Sequence, residues 1–149
     1  MKLDKMEIFS DAQAGAGTDT TVVSTNVIDT GSDRGTAGRD VGLAAEDIWL
    51  NATVIAAAVG GTSVQVLLQT SDAENFGSGV TEIPLSGAVA VADLTAGKRV
   101  VRARLPLGLK RYLRIGYKNV GAVTTITWKT FLTHGVQAED NLVPAPYSF

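Results

Sequence analysis

The chain of 149 residues has no cysteine and a single histidine, His134. The lack of cysteine excludes disulfides, thiolate metal sites and a cysteine nucleophile, and it is compatible with maturation in a reducing cytosol. A Ser-His-Asp triad would depend on His134, and no Gly-x-Ser-x-Gly segment is present to display the serine. We therefore expect a protein that is not an enzyme, with no catalytic residue and no cofactor.

Long apolar runs are also missing. The longest weakly polar stretch, residues 52–60, is too short and too rich in alanine to span a bilayer, and the charged first residues are followed by no apolar run. We expect a soluble protein with no Sec signal and no membrane partner. The length is that of one domain, large enough to enclose an apolar core.

Valine, threonine, alanine and glycine are plentiful, and they favour strands and turns over long helices. Alternation of apolar and polar residues is clearest at residues 109–118, where Leu113, Ile115 and Tyr117 share one face and basic side chains share the other. This pattern predicts a half-buried central strand. It needs a partner sheet, because one strand cannot bury its apolar face alone.

Similar alternation recurs along the chain and predicts an all-β fold, an antiparallel two-sheet sandwich of about eight strands. The other runs are residues 6–9, 22–28, 46–58, 63–70, 98–105 and 123–133, with weak short strands near 80–83 and 88–91. The side chains expected in the core are Leu50, Val54, Val66, Leu68, Leu113, Ile115, Ile126 and Trp128. In residues 98–105 the alternation puts Arg99 on the side of Val101 and Ala103.

Glycine and proline predict the connections. Gly60-Gly61 is typical of a hairpin turn, so residues 46–58 and 63–70 should pair with each other. The small residues at 10–19 predict a flexible loop, residues 29–40 a long glycine-rich loop, and the proline-containing tail, residues 137–149, an extended arm. We expect the loop at 10–19 or the tail to order against a neighbouring copy in a homo-oligomer, a dimer or a trimer.

Acidic residues are absent from residues 94–138. The basic residues of that segment are Lys98, Arg99, Arg102, Arg104, Lys110, Arg111, Arg114, Lys118 and Lys129. One interpretation is that acidic and basic strands neutralise each other within the sheets. The other is a basic face that docks on an acidic partner. Nucleic acid is a weaker candidate, because only Tyr112 shares the basic side of the central strand.

The sequence offers two weaker candidates, a calcium site and a sugar-binding groove. Asp72, Glu74 and Asn75 offer three oxygen donors, fewer than the six or more that Ca²⁺ takes, so a solvated turn is the better interpretation and no metal is expected. Trp49 and Trp128 could line a sugar-binding groove, but aromatic residues on alternating strands are more often core.

Several stretches together resemble the cement (decoration) proteins that coat the heads of some tailed bacteriophages. They are FSDAQ at 9–13, STNVIDTG at 24–31, RDVG at 39–42, VLLQTSD at 66–72, AVAVADLTAG at 88–97 and LPLGLKRYLRI at 105–115. They occur in the order of that family. They cover most of the chain from about residue 9 to 117, and the resemblance implies an eight-stranded jelly roll without an active site that clamps the outside of an assembled head. We expect residues 1–149 to form one such domain.

Together the charge pattern and the resemblance predict binding at junctions of the major capsid protein. The residues expected to make this contact are Arg34, Arg39, Arg102, Arg104, Lys110, Arg111 and Arg114. The protein would then be made in the host cytoplasm and reside on the outer surface of the virion. The alternative is a carbohydrate-binding jelly-roll module that stacks sugars on Trp49, Tyr112 or Tyr117.

Overall fold

The computed structural model describes residues 7–31 and 48–134. They form twelve β-strands and a single turn of 3-10 helix at Val91–Asp93. The strands are β1 (Ile8–Ala14), β2 (Gly17–Thr18), β3 (Thr21–Val23), β4 (Ile28–Asp29), β5 (Ile48–Val59), β6 (Ser63–Ser71), β7 (Thr81–Pro84), β8 (Val89–Ala90), β9 (Arg99–Arg104), β10 (Tyr112–Val120), β11 (Ala122–Val123) and β12 (Thr125–His134). None of the helical structure in these residues is long and apolar enough to cross a membrane.

The strands form two main antiparallel sheets. Sheet 1 has the order β1-β12-β5-β9, and sheet 2 has the order β3-β10-β6-β7. In sheet 2, β4 also pairs with β10 and β8 also pairs with β6, while β2 and β11 form a small separate ribbon. The prediction of an all-β, antiparallel two-sheet sandwich is confirmed. There are more strand segments than the eight expected, because β3 and β4 share one position in sheet 2, β7 and β8 share another, and β2 and β11 form the extra ribbon.

The core lies between the facing sides of the two sheets. All eight side chains predicted for it are buried, with Leu50, Leu113 and Trp128 fully enclosed. The period-2 alternation succeeds here because a strand in a sandwich turns every second side chain inward. The prediction that residues 109–118 contain a central strand is also confirmed, since β10 lies between β6 on one side and β3 with β4 on the other.

The predicted hairpin around Gly60-Gly61 is wrong. Strand β5 pairs with β12 and β9 in sheet 1, whereas β6 pairs with β10, β7 and β8 in sheet 2. Gly60 and Gly61 have φ values of 76° and 75° and carry the chain from one sheet to the other. The crossing lets β5 and β6 face each other across the core, which buries the apolar sides of both strands.

The predicted loop at residues 10–19 is also wrong. Strand β1 continues to Ala14 and pairs with β12, with two register shifts, and β2 follows it. The small residues serve close packing: a Cβ at Gly15 would lie 2.6 Å from Cδ1 of Trp128. The segment therefore belongs to the sandwich of its own chain, which removes the argument that it orders against a neighbouring copy.

Residues 22–28 do not form one continuous strand. Strand β3 ends at Val23 and β4 begins at Ile28. Between these strands, side chains bond backbone groups. Gln13 Nε2 donates to the Val23 carbonyl and Gln13 Oε1 accepts from the Thr25 amide. Ser24 Oγ accepts from the Ile115 amide. The tail at 137–149, most of the loop at 29–40, and Arg34 and Arg39 lie outside the described residues.

Candidate interaction surface

The outer side of sheet 1 carries a group of basic side chains. Residues paired on neighbouring strands point to the same side of a sheet, so the register defines three rows across it. The rows are Arg104, Trp49 and Thr133; then Arg102, Asn51, Phe131 and Ile8; then Arg99, Thr53 and Lys129. We call this surface the basic face. Its cations come from the two strands that flank β5.

A register shift in β9 brings Arg99 to the basic face. Ala52 pairs with Val101, but the next residue, Thr53, pairs with Arg99, so Val100 is an extra residue. Strict alternation had put Arg99 on the inward side with Val101, and that prediction is wrong. A bulge of this kind reverses the alternation on one side of it, and here it adds a third arginine to the surface.

Aromatic rings lie beneath two of the cations. The Arg102 guanidinium is 5.7 Å from the centroid of the Trp49 ring, and Lys129 Nζ is 5.9 Å from the centroid of Phe131. Trp49 is half-buried, and Arg102 and Arg104 are exposed. Contacts of a cation with a ring face hold the long basic side chains in defined positions, because the ring face is the negative side of its quadrupole.

Asn51 anchors the centre of the basic face. Its Nδ2 donates to Thr133 Oγ1 over 3.2 Å, and both residues are buried although they point away from the core. Phe131, beside Asn51, is also buried. The centre of the basic face is therefore enclosed within the chain, and Arg102 and Arg104 are its exposed cations.

Sheet 2 and the segment just before β10 also carry cations. Arg111 donates to Asp29 through Nε at 2.8 Å and Nη2 at 2.9 Å, and Lys110 Nζ lies 3.8 Å from Asp72 Oδ2. The hydrogen bonds from Arg111 and the Gly31 amide lower the pKa of the Asp29 carboxyl. The hydrogen bonds to Asp29 in turn raise the pKa of Arg111.

Arg114 is held by a chain of polar contacts on the outer side of sheet 2. Its Nε donates to Gln69 Oε1, and Gln69 Nε2 donates to Glu82 Oε1, both over 2.6 Å. Its guanidinium lies 4.1 Å from the Phe76 ring centroid. Partial burial lowers the pKa of Arg114, and the charge of Glu82 opposes that shift. Its partners are therefore within the chain.

The seven candidate contact residues thus fall into three groups. Arg102 and Arg104 lie on the basic face. Arg111 pairs with Asp29 of β4, Arg114 donates to Gln69 of β6, and Lys110, just before β10, lies 3.8 Å from Asp72, just after β6. Arg34 and Arg39 lie outside the described residues.

The other predicted sites can be located as well. Asp72 pairs with Lys110, and residues 7–31 and 48–134 contain no group of three residues suited to hold a metal ion. Tyr117 is fully buried and stacks on Trp128 with ring centroids 4.8 Å apart, so neither ring can meet a sugar. Tyr112 lies half-buried beneath Arg111, whose guanidinium is 4.9 Å from its ring centroid.

A family model described as Bbp16 matches residues 9–132. The chain belongs to the Bbp16 family. The match runs from β1 into β12 and includes all four cations of the basic face. Among curated proteins, none matches this Bbp16-family chain.

Arg99 and Lys129, two cations of the basic face in this Bbp16-family protein, were not predicted as site residues, and Trp49 was predicted only as a sugar-stacking residue of the alternative function. Their positions depend on which strands are neighbours, and on the bulge in β9. One available signal was that Trp49 and Lys129 both occupy outward positions of strongly alternating strands. That signal does not say that β5 and β12 are adjacent.

Proposed function

We propose that this Bbp16-family protein is a capsid decoration, or cement, protein that binds the outside of an assembled phage head at junctions of the major capsid protein. The observation that carries the proposal is the basic face, on which three arginines, Lys129 and a half-buried tryptophan lie on one surface of sheet 1. The resemblance of the chain to phage cement proteins supplies the kind of partner.

The composition of the basic face suits a protein interface. Tryptophan and arginine dominate the binding energy of protein interfaces, where they pack in desolvated centres. Arginine forms bidentate hydrogen bonds with carboxylates, which lysine cannot do. Because Arg102 and Lys129 lie over the rings of Trp49 and Phe131, ordering these two side chains on binding costs less conformational entropy. An acidic surface on capsid subunits would complement this face.

The strand order supports the finer fold assignment in the same proposal. A jelly roll has eight strand positions in two sheets of four. Sheet 1 has four strands, and sheet 2 has four positions when β3 is grouped with β4 and β7 with β8. The proposed protein is then a rigid jelly-roll clamp with no active site.

Decoration would act through mass action. A protein that binds the assembled shell and not its free subunits stabilises the shell in proportion to its occupancy. A single exposed ion pair contributes only about 0–1 kcal/mol, so several cations must act together. A homo-oligomer, a dimer or a trimer on a local symmetry axis, would add effective concentration to these modest contacts. In this account the protein is made in the host cytoplasm, resides on the virion surface and binds neither nucleic acid nor membrane.

The direct test is a pull-down of the purified protein with assembled heads, alongside a glycan array. The proposal expects sedimentation with intact heads and no glycan bound. Binding to a glycan without binding to heads would overturn it in favour of the carbohydrate-binding alternative, which would use the exposed part of Trp49. Binding to neither would overturn both.

A further inference from the structure

An open pocket of about 580 Å³ lies beside β1, at the edge of sheet 1 opposite to β9, and adjoins the basic face. It is lined by Ile8, Asp11, Thr25, Asn26, Val27, Ile28 and Glu74. We call it the acidic pocket, because its two charged members, Asp11 and Glu74, are carboxylates and none of its lining residues is basic. Its size falls within the range of about 300–1,000 Å³ that is usual for binding pockets.

We propose that the acidic pocket receives a lysine or arginine side chain of the capsid surface, so that the protein binds the head through two contacts of opposite sign. This inference rests on the proposed function and adds the chemistry of the partner. The cations of the basic face would meet capsid carboxylates, and the acidic pocket would meet a capsid cation.

The lining suits a long basic side chain. Ile8, Val27 and Ile28 offer apolar surface to an aliphatic stem, while Asp11 and Glu74 offer carboxylates to its charged end. Both carboxylates are exposed, and within residues 7–31 and 48–134 no ion pair involves either of them. The nearby basic side chain of Arg111 interacts electrostatically with Glu74 but is hydrogen-bonded to Asp29.

The pocket wall is preorganised by β1 and the segment after β3. Asn26 Nδ2 donates to the Ile8 carbonyl over 3.0 Å, and the Asn26 amide donates to the Phe9 carbonyl over 3.1 Å. Beside Asp11, Ala12 has a φ of 51°, within the second register shift of β1. Bulges often redirect a side chain, and here the bulge lies next to the carboxylate that lines the pocket.

Ile8 makes the pocket continuous with the basic face. It belongs to the same row as Arg102, Asn51 and Phe131 and also lines the pocket. The row crosses three strand spacings of about 4.8 Å, so the backbone at Arg102 lies about 14 Å from the backbone at Ile8, at the rim of the pocket. A partner surface that carries an acid and a base at this separation complements both ends of the row.

One variant distinguishes this proposal from a simple attraction between the net charges of the protein and the head, because the two predict opposite changes in affinity. If the head is acidic and only long-range charge matters, removing acids from the decoration protein should strengthen binding. If a capsid cation enters the pocket, the same change should weaken it. The two expectations are opposite for Asp11→Asn/Glu74→Gln.

The experiment measures the Kd for purified assembled heads at 0.1 M salt for wild type, Asp11→Asn, Asp11→Asn/Glu74→Gln and the control Asp93→Asn. Asp93 is an exposed acid on the 3-10 turn and lines neither the pocket nor the basic face. We expect Kd to rise about twofold to fivefold for Asp11→Asn and about threefold to tenfold for the double variant, since each exposed pair contributes modestly. Asp93→Asn should stay within twofold of wild type, with an unchanged melting temperature for every variant.

Each other result overturns the inference. Heads that bind wild type and the double variant equally well, or the double variant more tightly, would overturn the pocket contact and leave the proposed function intact. Failure of wild type to bind would overturn both. Light scattering that finds wild type oligomeric and the double variant monomeric, with head affinity per chain unchanged, would assign the pocket to a second copy of the chain instead.

Discussion

At the scale of single residues, Tyr117 joins the two sheets by hydrogen bonds. It stands on β10 of sheet 2, and its hydroxyl lies 2.8 Å from Ser10 Oγ and 2.7 Å from Thr130 Oγ1, both in sheet 1. All three residues are buried. Buried polar groups stabilise a core only when each has a partner. Ser10 Oγ also donates to Gln13 Oε1, whereas the Tyr117 hydroxyl depends on Ser10 and Thr130.

Tyr117→Phe should lower the free energy of unfolding by about 1–3 kcal/mol, because it leaves buried hydroxyls short of a partner while keeping the ring on Trp128. Tyr112→Phe is the matched control: Tyr112 is only half-buried, and the change should stay within about 0.5 kcal/mol. Urea unfolding of the three proteins measures both values. Equal effects of the two substitutions would contradict the role assigned to the Tyr117 hydroxyl.

Tyr117 also predicts how stability depends on alkaline pH. Burial raises the pKa of Tyr117 from the ordinary tyrosine value of 10.0 to about 12. A group whose pKa is higher in the folded state contributes stability that is present below its unfolded pKa and is lost as pH rises through the folded value. Wild type should therefore lose stability between about pH 10 and pH 12. A loss of the same size in Tyr117→Phe would show that another group causes it.

Gly15 tests how closely β1 packs on the core. An added Cβ would lie 2.6 Å and 2.7 Å from Cδ1 and Nε1 of the buried Trp128 ring, which cannot move aside easily. Gly15→Ala should destabilise the protein by about 1–3 kcal/mol through overpacking. Gly87→Ala is the control, since no atom lies within 4 Å of its added Cβ. Thermal unfolding that finds both variants alike would refute the close approach of β1 to Trp128.

At the scale of strands, β10 is the central element of sheet 2, and Leu113 is its most informative position. Leu113 is fully buried, so Leu113→Ala should create a cavity and cost about 2–5 kcal/mol. Leu107 has the same side chain but is 65% exposed, so Leu107→Ala should cost less than about 0.5 kcal/mol. Denaturant unfolding measures the difference. A far-UV spectrum dominated by helix would contradict the fold itself.

The strands also indicate what a sequence can and cannot predict. Alternation identified the inward residues of β5, β6, β10 and β12, because the apolar residues within one strand show which face of that strand is buried. The sequence of one strand does not show which other strands pair with it. The Gly60-Gly61 turn suits a hairpin as well as a crossing between sheets, and the crossing occurs because β12 and β10 supply the hydrogen bonds of β5 and β6.

The candidate site was predictable only in part for the same reason. Arg102 and Arg104 were found from charge, but the same signal selected Arg111 and Arg114. Asp29 and Gln69, which hold those two arginines, are 82 and 45 residues away in the chain. These pairs can be recognised only when it is known which strands are neighbours and in which register. The bulge in β9 that redirects Arg99 contains no glycine that would indicate it in the sequence.

At the scale of the whole molecule, the cations of the two sheets have different proposed roles. Arg111 and Arg114 hydrogen-bond to Asp29 and Gln69 of sheet 2, and the cations of the basic face are proposed to meet the head. Homo-oligomerisation and a role for the tail at residues 137–149 stay predictions, and sedimentation of the full chain against a chain ending at residue 136 would test them.

The most direct test of the central claim is occupancy on purified heads between 0.1 M and 1 M salt for wild type, Arg102→Gln/Arg104→Gln and the matched control Arg111→Gln/Arg114→Gln. The screening length falls from about 10 Å to about 3 Å across this range, so wild-type occupancy should fall. At 0.1 M salt the Arg102/Arg104 variant should bind at least about fivefold more weakly than wild type, and the control should bind as wild type once equal folding is verified. Occupancy that is flat with salt, or equal loss in both variants, would contradict the assignment of head binding to the basic face.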